Sequence, residues 1–159
     1  MIALAQALGS RLKEKGGLLV TAESCTGGWV AQVATSLAGS SEWFERGFVT
    51  YSNAAKEELL GVRRETLERH GAVSEETARE MALGALERSR GTLALAVTGV
   101  AGPGGGSPAK PVGTVCFAWA SRGGGRRAET RHFAGDREAV RRQSVEHALR
   151  GALEHLDAG

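Results

Sequence analysis

Three side chains that can act as nucleophiles, Ser24, Cys25 and Thr26, stand side by side where an apolar run gives way to two glycines. Gly27 and Gly28 would let a substrate approach the main chain, and free N–H groups at the start of a helix can hold an anion or a developing oxyanion. A simpler explanation is that Ser24 or Thr26 only caps the helix that follows. Taken alone, the segment favours this capping role.

Lys56 is a second candidate, because it stands in a chain that has four lysines against sixteen arginines. A desolvated lysine can lose its proton and act as a base, whereas arginine stays protonated. Tyr51, the only tyrosine, precedes it by five residues and could donate a hydrogen bond to a substrate. An exposed lysine on a short helix explains the same sequence, and for a single lysine this is the commoner case.

The loop of residues 99–106 contains five glycines and follows an apolar run. Such a loop can cradle a phosphate, but it matches neither the Walker A motif nor the dinucleotide fingerprint, since Lys110 comes late and is followed by Pro111. A flexible surface turn explains the composition equally well. Arg142 and its neighbours near the start of the last helix could hold a phosphate, although a solvated helix face is the commoner role for such arginines.

Two further kinds of catalytic site are poorly supported. His147 and His155 are eight residues apart and the other two histidines are isolated, so no pair has the helical spacing of metal ligands. The only aspartates are Asp136 and Asp157, which argues against a Ser-His-Asp triad. We therefore expect no metal.

The elements that must position these residues alternate between helices and apolar strands, which predicts an α/β fold. We expect a three-layer α/β/α sandwich with a central, mostly parallel sheet and helices on both faces, in one domain over residues 1–159. Ligands bind such folds at the carboxyl ends of strands, where residues 23–28 and 99–106 lie. Ser74, Asn53 and Asp136 are the expected helix caps, and the last two strands should form a hairpin. The pattern predicts helices over residues 4–15, 29–37, 54–60, 74–90 and 137–156, and strands over residues 18–22, 48–51, 93–98, 113–120 and 128–133.

The composition of the chain argues against two classes of partner, nucleic acids and membranes. Twenty basic and 18 acidic residues give a net charge of +2, which argues against nucleic-acid binding. No apolar run approaches the roughly 20 residues that cross a bilayer, so we expect no membrane association. Cys25 and Cys116 are too few for a disulfide framework, which favours reduced thiols and a cytoplasmic protein.

Eight segments, taken in order, are far more specific than any one of them. They are residues 21–28, 47–53, 56, 71–74, 98–103, 110–115, 135–137 and 140–142. Together they resemble the CinA C-terminal domain family, the nicotinamide-nucleotide amidases, in its stand-alone form. The resemblance covers nearly the whole chain. It implies hydrolysis of nicotinamide mononucleotide to nicotinate mononucleotide and ammonia, in pyridine-nucleotide salvage, with a small-molecule nucleotide as the substrate and without a cofactor.

The resemblance also implies roles for individual residues. Ser24 becomes the preferred nucleophile and Lys56 its general base, while Tyr51 orients Lys56 or passes a proton to the departing ammonia. For this role burial or a nearby cation must lower the pKa of Lys56. The remaining implied contacts are main-chain N–H groups around Thr26, Gly27 and Gly28 for the oxyanion, Thr98, Gly99 and Gly102 lining the pocket, and Arg142 on the phosphate.

Three alternatives stay open. Cys25 could be the nucleophile in place of Ser24, although its apolar neighbours favour an inert thiol. The chain could instead be a nucleotide-binding regulatory module without turnover, or a DNA-associated protein of the competence system. We also expect a homodimer, since the last helix carries apolar residues that a second copy could cover.

Overall fold

The computed structural model describes residues 1–158, in which six α-helices and five β-strands follow one another, with a short 3-10 helix at Ser40–Glu42. The first half contains α1 (Ile2–Lys15), β1 (Leu19–Glu23), α2 (Trp29–Thr35), β2 (Phe44–Val49), α3 (Asn53–Leu60) and α4 (Arg64–His70). The second half contains α5 (Glu75–Glu87), β3 (Leu93–Gly99), β4 (Thr114–Ser121), β5 (Arg126–His132) and α6 (Arg137–Ala158).

The five strands form one mixed sheet in the order β2-β1-β3-β4-β5. β1 is parallel to both β2 and β3, whereas β4 is antiparallel to both β3 and β5. The predicted α/β fold is confirmed, and so is the hairpin, which makes this half of the sheet antiparallel. Four of the five strands nevertheless run in one direction, because only β4 is reversed.

Helices cover both faces of the sheet, and alternate residues of each strand point to opposite faces. Leu93, Leu95 and Val97 of β3 pack in a core with α1, α2 and α6. Ala94 and Ala96 of the same strand pack in a second core with α3, α4 and α5. Burial on both sides explains why the central strands are continuous apolar runs in the sequence.

Trp119 is the largest fully buried side chain, and it fixes α6 against the sheet. Its indole N–H donates to the carbonyl of Ala148 at 3.0 Å, which satisfies its single polar group. α6 passes the ring at Gly151, where a Cβ atom would lie 2.0 Å from a ring carbon. Only glycine fits this crossing, so the register of α6, which carries the site's arginines, is set here.

Three local predictions differ from the structure. The second strand begins at Phe44 and ends at Val49, earlier than expected, because it is an edge strand whose charged residues hide the apolar pattern. α3 is capped by Ser52, whose hydroxyl accepts from the N–H of Ala55, and not by Asn53. α4 was not predicted at all, since its short polar sequence buries only Thr66 and Leu67. The caps at Ser74 and Asp136 are confirmed.

Both cysteines are buried and free. Among residues 1–158, no helix combines the length and apolar character that crossing a bilayer requires.

Candidate active site

The candidate site lies at the carboxyl ends of the three parallel strands, which meet at the same edge of the sheet. Ser24 follows β1 directly, Tyr51 comes two residues after β2, and Thr98 and Gly99 end β3. The N–H of Thr50 donates to the carbonyl of Glu23 at 2.8 Å, so the pairing of β1 and β2 continues one residue beyond the strands. The topology therefore brings the two segments singled out in the sequence together.

Lys56 lies in the first turn of α3, and its amine reaches the start of the turn after β1. Its Nζ lies 2.9 Å from the Oγ of Ser24, 3.0 Å from the carbonyl oxygen of Thr50 and 3.3 Å from that of Tyr51. Only 1% of Lys56 is exposed, and Ser24 is buried beside it. The exposed-lysine explanation of this residue is therefore wrong.

Burial lowers the pKa of the Lys56 amine, while the neighbouring Cys25 opposes this effect. The hydrogen-bond partners of Nζ among residues 1–158 are one hydroxyl and two carbonyl oxygens, and no carboxylate is among them. A neutral amine has two N–H groups, which the carbonyls of Thr50 and Tyr51 can accept, and one lone pair. That lone pair is then free to accept the hydroxyl proton of Ser24.

Glu23 explains why the turn after β1 has a fixed shape. Its buried carboxylate accepts from the Thr26 hydroxyl at 2.6 Å and from the N–H groups of Val30 and Ala31 at 2.9 and 3.0 Å. The carboxylate thus caps α2 from inside the protein, where its charge suits the helix terminus. Because the Thr26 hydroxyl is engaged here, Ser24 is the hydroxyl that Lys56 contacts. Glu23 is not among the residues predicted from the sequence, although a carboxylate shortly before a helix is a capping signal.

The turn itself passes through two glycines with positive φ, Gly27 at 60° and Gly28 at 104°. The Gly27 N–H points back into the turn and donates to the carbonyl of Ser24 at 3.0 Å. Among residues 1–158, the N–H of Thr26 donates to no other residue. The same holds, within these residues, for the N–H groups of Cys25 and Gly28. Of the three residues only Cys25 lines the cavity, and Thr26 is fully buried.

A cavity of about 200 Å³ opens onto Ser24 and Lys56. Thr98 and Gly99 line it as predicted, and the Thr98 hydroxyl donates to the carbonyl of Ala72 at 2.9 Å. Gly102 lies outside the lining, but its carbonyl accepts from Arg137 at 2.7 Å. The full lining consists of Ser24, Cys25, Tyr51, Asn53, Lys56, Ala72, Val73, Thr98, Gly99, Ala101 and Arg137.

Tyr51 contacts the site through two different groups. Its carbonyl accepts from Lys56, whereas its hydroxyl accepts from Arg137 at 3.2 Å, and the residue as a whole is 62% exposed. No contact joins the Tyr51 hydroxyl to Lys56 within residues 1–158. The main chain of Tyr51, and not its phenol, holds the lysine amine in this structure.

Arg142 does not reach the cavity. It forms an ion pair with Glu138 at 3.5 Å on the outer side of α6, and Arg137 lines the cavity in its place. Five residues along a helix turn the side-chain direction by about 140°, so the two arginines point in different directions. The signal that separates the two arginines is the apolar spacing of α6, because Arg137 lies two turns before the buried Val145 and Arg142 does not share that face.

Cys25 lines the cavity but has no thiolate character. Only 6% of it is exposed, and burial raises the pKa of its thiol to about 12. An uncharged thiol is a poor nucleophile and a poor metal ligand. Among residues 1–158, no group of three or more potential ligands is arranged to hold a metal ion.

The fold and the site define an α/β protein with a serine–lysine pair at the carboxyl edge of its parallel strands, an arrangement that suits nucleophilic hydrolysis. Comparison with known proteins agrees with this class. The chain belongs to the CinA C-terminal domain family, whose sequence profile matches residues 1–156.

Named relatives and solved structures share nearly the whole chain. The nicotinamide-nucleotide amidohydrolase PncC of Escherichia coli K12 is 56% identical over 149 residues, which cover 94% of this chain and 90% of that protein. The protein of the same name from Pseudomonas putida is 54% identical, with 95% and 94% covered. The competence/damage inducible protein CihA of Agrobacterium tumefaciens superposes with a TM-score of 0.94 at 47% identity, covering 98% of this chain and 94% of that one.

Proposed function

We propose that this chain is an amidohydrolase that converts nicotinamide mononucleotide and water to nicotinate mononucleotide and ammonia, a step of pyridine-nucleotide salvage. The observation that carries the proposal is the 2.9 Å contact between the Lys56 amine and the Ser24 hydroxyl, buried at the base of an open cavity. The names of the relatives from E. coli and P. putida support the choice of substrate.

The reaction proceeds in two halves through an acyl-enzyme. Lys56 takes the hydroxyl proton of Ser24 as the oxygen attacks the carboxamide carbon, and the same proton then passes to the departing NH₂ group, which leaves as ammonia. Water enters, loses a proton to Lys56 and attacks the ester carbon. The ester bond breaks, Ser24 recovers its proton from Lys56, and nicotinate mononucleotide leaves.

The oxygen of the amide becomes negative in both halves and needs donors. The main-chain N–H groups of Cys25 and Thr26 are the first candidates, because neither donates to another residue among residues 1–158, whereas the Gly27 N–H is occupied. Of these two residues, Cys25 lines the cavity. We keep the main chain around Gly28 as the second candidate. One correctly placed donor of this kind typically contributes a rate factor of about 10²–10³.

The nucleotide phosphate requires a cation at the mouth of the cavity. Arg137 fits this role better than Arg142, because it lines the cavity beside Thr98 and Gly99 and its guanidinium also contacts Tyr51. The pyridine ring and its amide would then enter the cavity, while the ribose and phosphate remain near Arg137. The Tyr51 hydroxyl would act through Arg137, and its carbonyl through Lys56.

Ammonia release from nicotinamide mononucleotide tests the proposal directly. The unaltered protein should release ammonia, Ser24→Ala should abolish release, and Cys25→Ala should retain it because its thiol stays protonated. Binding of the nucleotide without release would support a regulatory module. A dead Cys25→Ala protein with an active Ser24→Ala protein would refute the serine mechanism.

The cytoplasmic location, the homodimer, the absence of nucleic-acid binding and the single domain over residues 1–159 remain predictions.

A further inference from the structure

Arg141 lies one helical turn after Arg137 on α6 and reaches the turn that carries Ser24. Its Nε donates to the carbonyl of Cys25 at 3.1 Å, and a terminal nitrogen donates to the carbonyl of Thr26 at 3.2 Å. The guanidinium carbon lies 5.4 Å from the centre of the Trp29 ring, a cation–π distance. The side chain is thus held by two hydrogen bonds and an aromatic face.

These two hydrogen bonds determine where a main-chain donor points. A peptide group is planar and trans, so its C=O and N–H point in opposite directions. The Cys25 carbonyl and the Thr26 N–H belong to one peptide group. Because Arg141 binds that carbonyl, the free Thr26 N–H must point away from Arg141.

The other hydrogen bonds of the turn do not hold the peptide group between Cys25 and Thr26. The Thr26 carbonyl also accepts from the N–H of Trp29 at 3.0 Å, and the Ser24 carbonyl accepts from Gly27. Among residues 1–158, the Cys25 carbonyl accepts from Arg141 alone. Gly27 and Gly28 follow immediately, and glycines allow the main chain several conformations.

We infer that Arg141 is a positioning residue for the reaction: by binding the carbonyls of Cys25 and Thr26, it fixes the main chain directly after Ser24, and with it the nucleophile and the N–H groups that border the cavity. This inference rests on the proposed function. Arg141 also places a positive charge beside the turn without touching the substrate. A group of this kind raises kcat to the extent that it stabilises the transition state more than the bound substrate.

Arg141→Gln tests the inference, with Arg142→Gln as the matched control on the same helix, since Arg142 pairs with the exposed Glu138. We expect kcat for nicotinamide mononucleotide to fall about 10- to 10³-fold in Arg141→Gln, with KM within about twofold of the original. Arg141→Lys should recover part of the loss, because an ammonium can bind one of the two carbonyls. The control should keep its kcat.

A merely structural role is excluded by a second measurement. A nicotinamide mononucleotide analogue with a boronic acid in place of the carboxamide forms a tetrahedral adduct with the serine. Its affinity for Arg141→Gln should fall in parallel with kcat/KM, whereas the affinity for nicotinate mononucleotide should stay the same. Parallel losses of both affinities, or a raised KM at constant kcat, would overturn the inference.

Trp29→Leu provides a second variant in case Arg141→Gln fails to fold. It keeps the arginine and removes its aromatic support, so kcat and boronate affinity should fall by a smaller, matched factor. The inference would be refuted if a folded Trp29→Leu protein and the Arg141→Lys protein both kept the kcat and the boronate affinity of the unaltered protein. If the unaltered protein releases no ammonia, the proposed function itself is wrong, which is a different result.

Discussion

Replacing Lys56 by arginine separates the charge of this residue from its capacity to accept a proton. Arginine carries a permanent positive charge and can still donate to the carbonyls of Thr50 and Tyr51, which Lys56 contacts at 3.0 and 3.3 Å. It cannot take a proton from Ser24 at any accessible pH, because its guanidinium is always protonated. We therefore expect Lys56→Arg to fold and to lose activity.

The size of the loss follows from the role. Removing a positioned general base typically lowers the rate by about 10²–10⁴-fold, which corresponds to about 2.7–5.5 kcal/mol of activation free energy. The single contact at 2.9 Å between Lys56 and Ser24 should account for this loss. Binding of the substrate should change little, since the phosphate lies near Arg137 in our proposal.

The pH profile provides the sharper assay. Only the neutral amine is a base, so kcat/KM of the unaltered enzyme should rise with pH through the pKa of Lys56, which burial sets below its ordinary value. For Lys56→Arg, kcat/KM should be low and should not rise with pH, since the guanidinium at that position does not lose its proton. The assay is initial ammonia release across pH, with urea unfolding of each variant to show that it is folded.

Lys13→Arg is the matched control, because Lys13 is exposed on α1 and pairs with Glu42 at 3.3 Å. It should keep both its rate and its pH profile. A Lys56→Arg enzyme that is active, or one that regains activity as the pH increases, would remove Lys56 from the mechanism.

Three further predictions concern the surroundings of the site. Glu23→Gln should lower the free energy of unfolding by about 1–3 kcal/mol in urea titrations, because a charged, buried acceptor of three hydrogen bonds becomes neutral; unchanged stability would contradict the capping role. Gly151→Ala should lower the free energy of unfolding by about 1–3 kcal/mol in the same assay, because the new Cβ would lie 2.0 Å from a ring carbon of Trp119. Gly104→Ala is its control and should change the free energy of unfolding little, because its Cβ would have no neighbour within 4 Å. Arg137→Gln should raise KM for nicotinamide mononucleotide without a matching change for nicotinamide riboside, which lacks the phosphate; equal effects on both substrates would refute a phosphate contact.

The sequence predicts the fold well because its signals are local and strong. The central strands are continuous apolar runs, and Ser74 and Asp136 cap helices in the usual way. The edge strand β2 was misplaced because half of its residues face solvent, so that charged residues interrupt the apolar pattern. Prediction therefore weakens where burial is partial.

The candidate site can also be predicted from the sequence only in part. The resemblance to the family singled out Ser24 and Lys56, which lie 32 residues apart, and the parallel pairing of β1 with β2 brings them into contact. The choice between Arg137 and Arg142 depends on the rotation of α6, which the packing of Gly151 on Trp119 sets. The apolar stripe of α6 reports this rotation, because Arg137 precedes the buried residues Val145 and Ala152 at helical spacing whereas Arg142 lies off that stripe.

The placement of Lys56 has a consequence for how this protein would lose function on warming. The two carbonyls that hold the amine follow β2, which has a neighbour on one side only and pairs with β1 through an irregular register near Leu19. Peripheral strands open at a lower free energy than the strands that they flank. Turnover thus depends on one of the least reinforced parts of the sheet, and inactivation would precede melting of the interior.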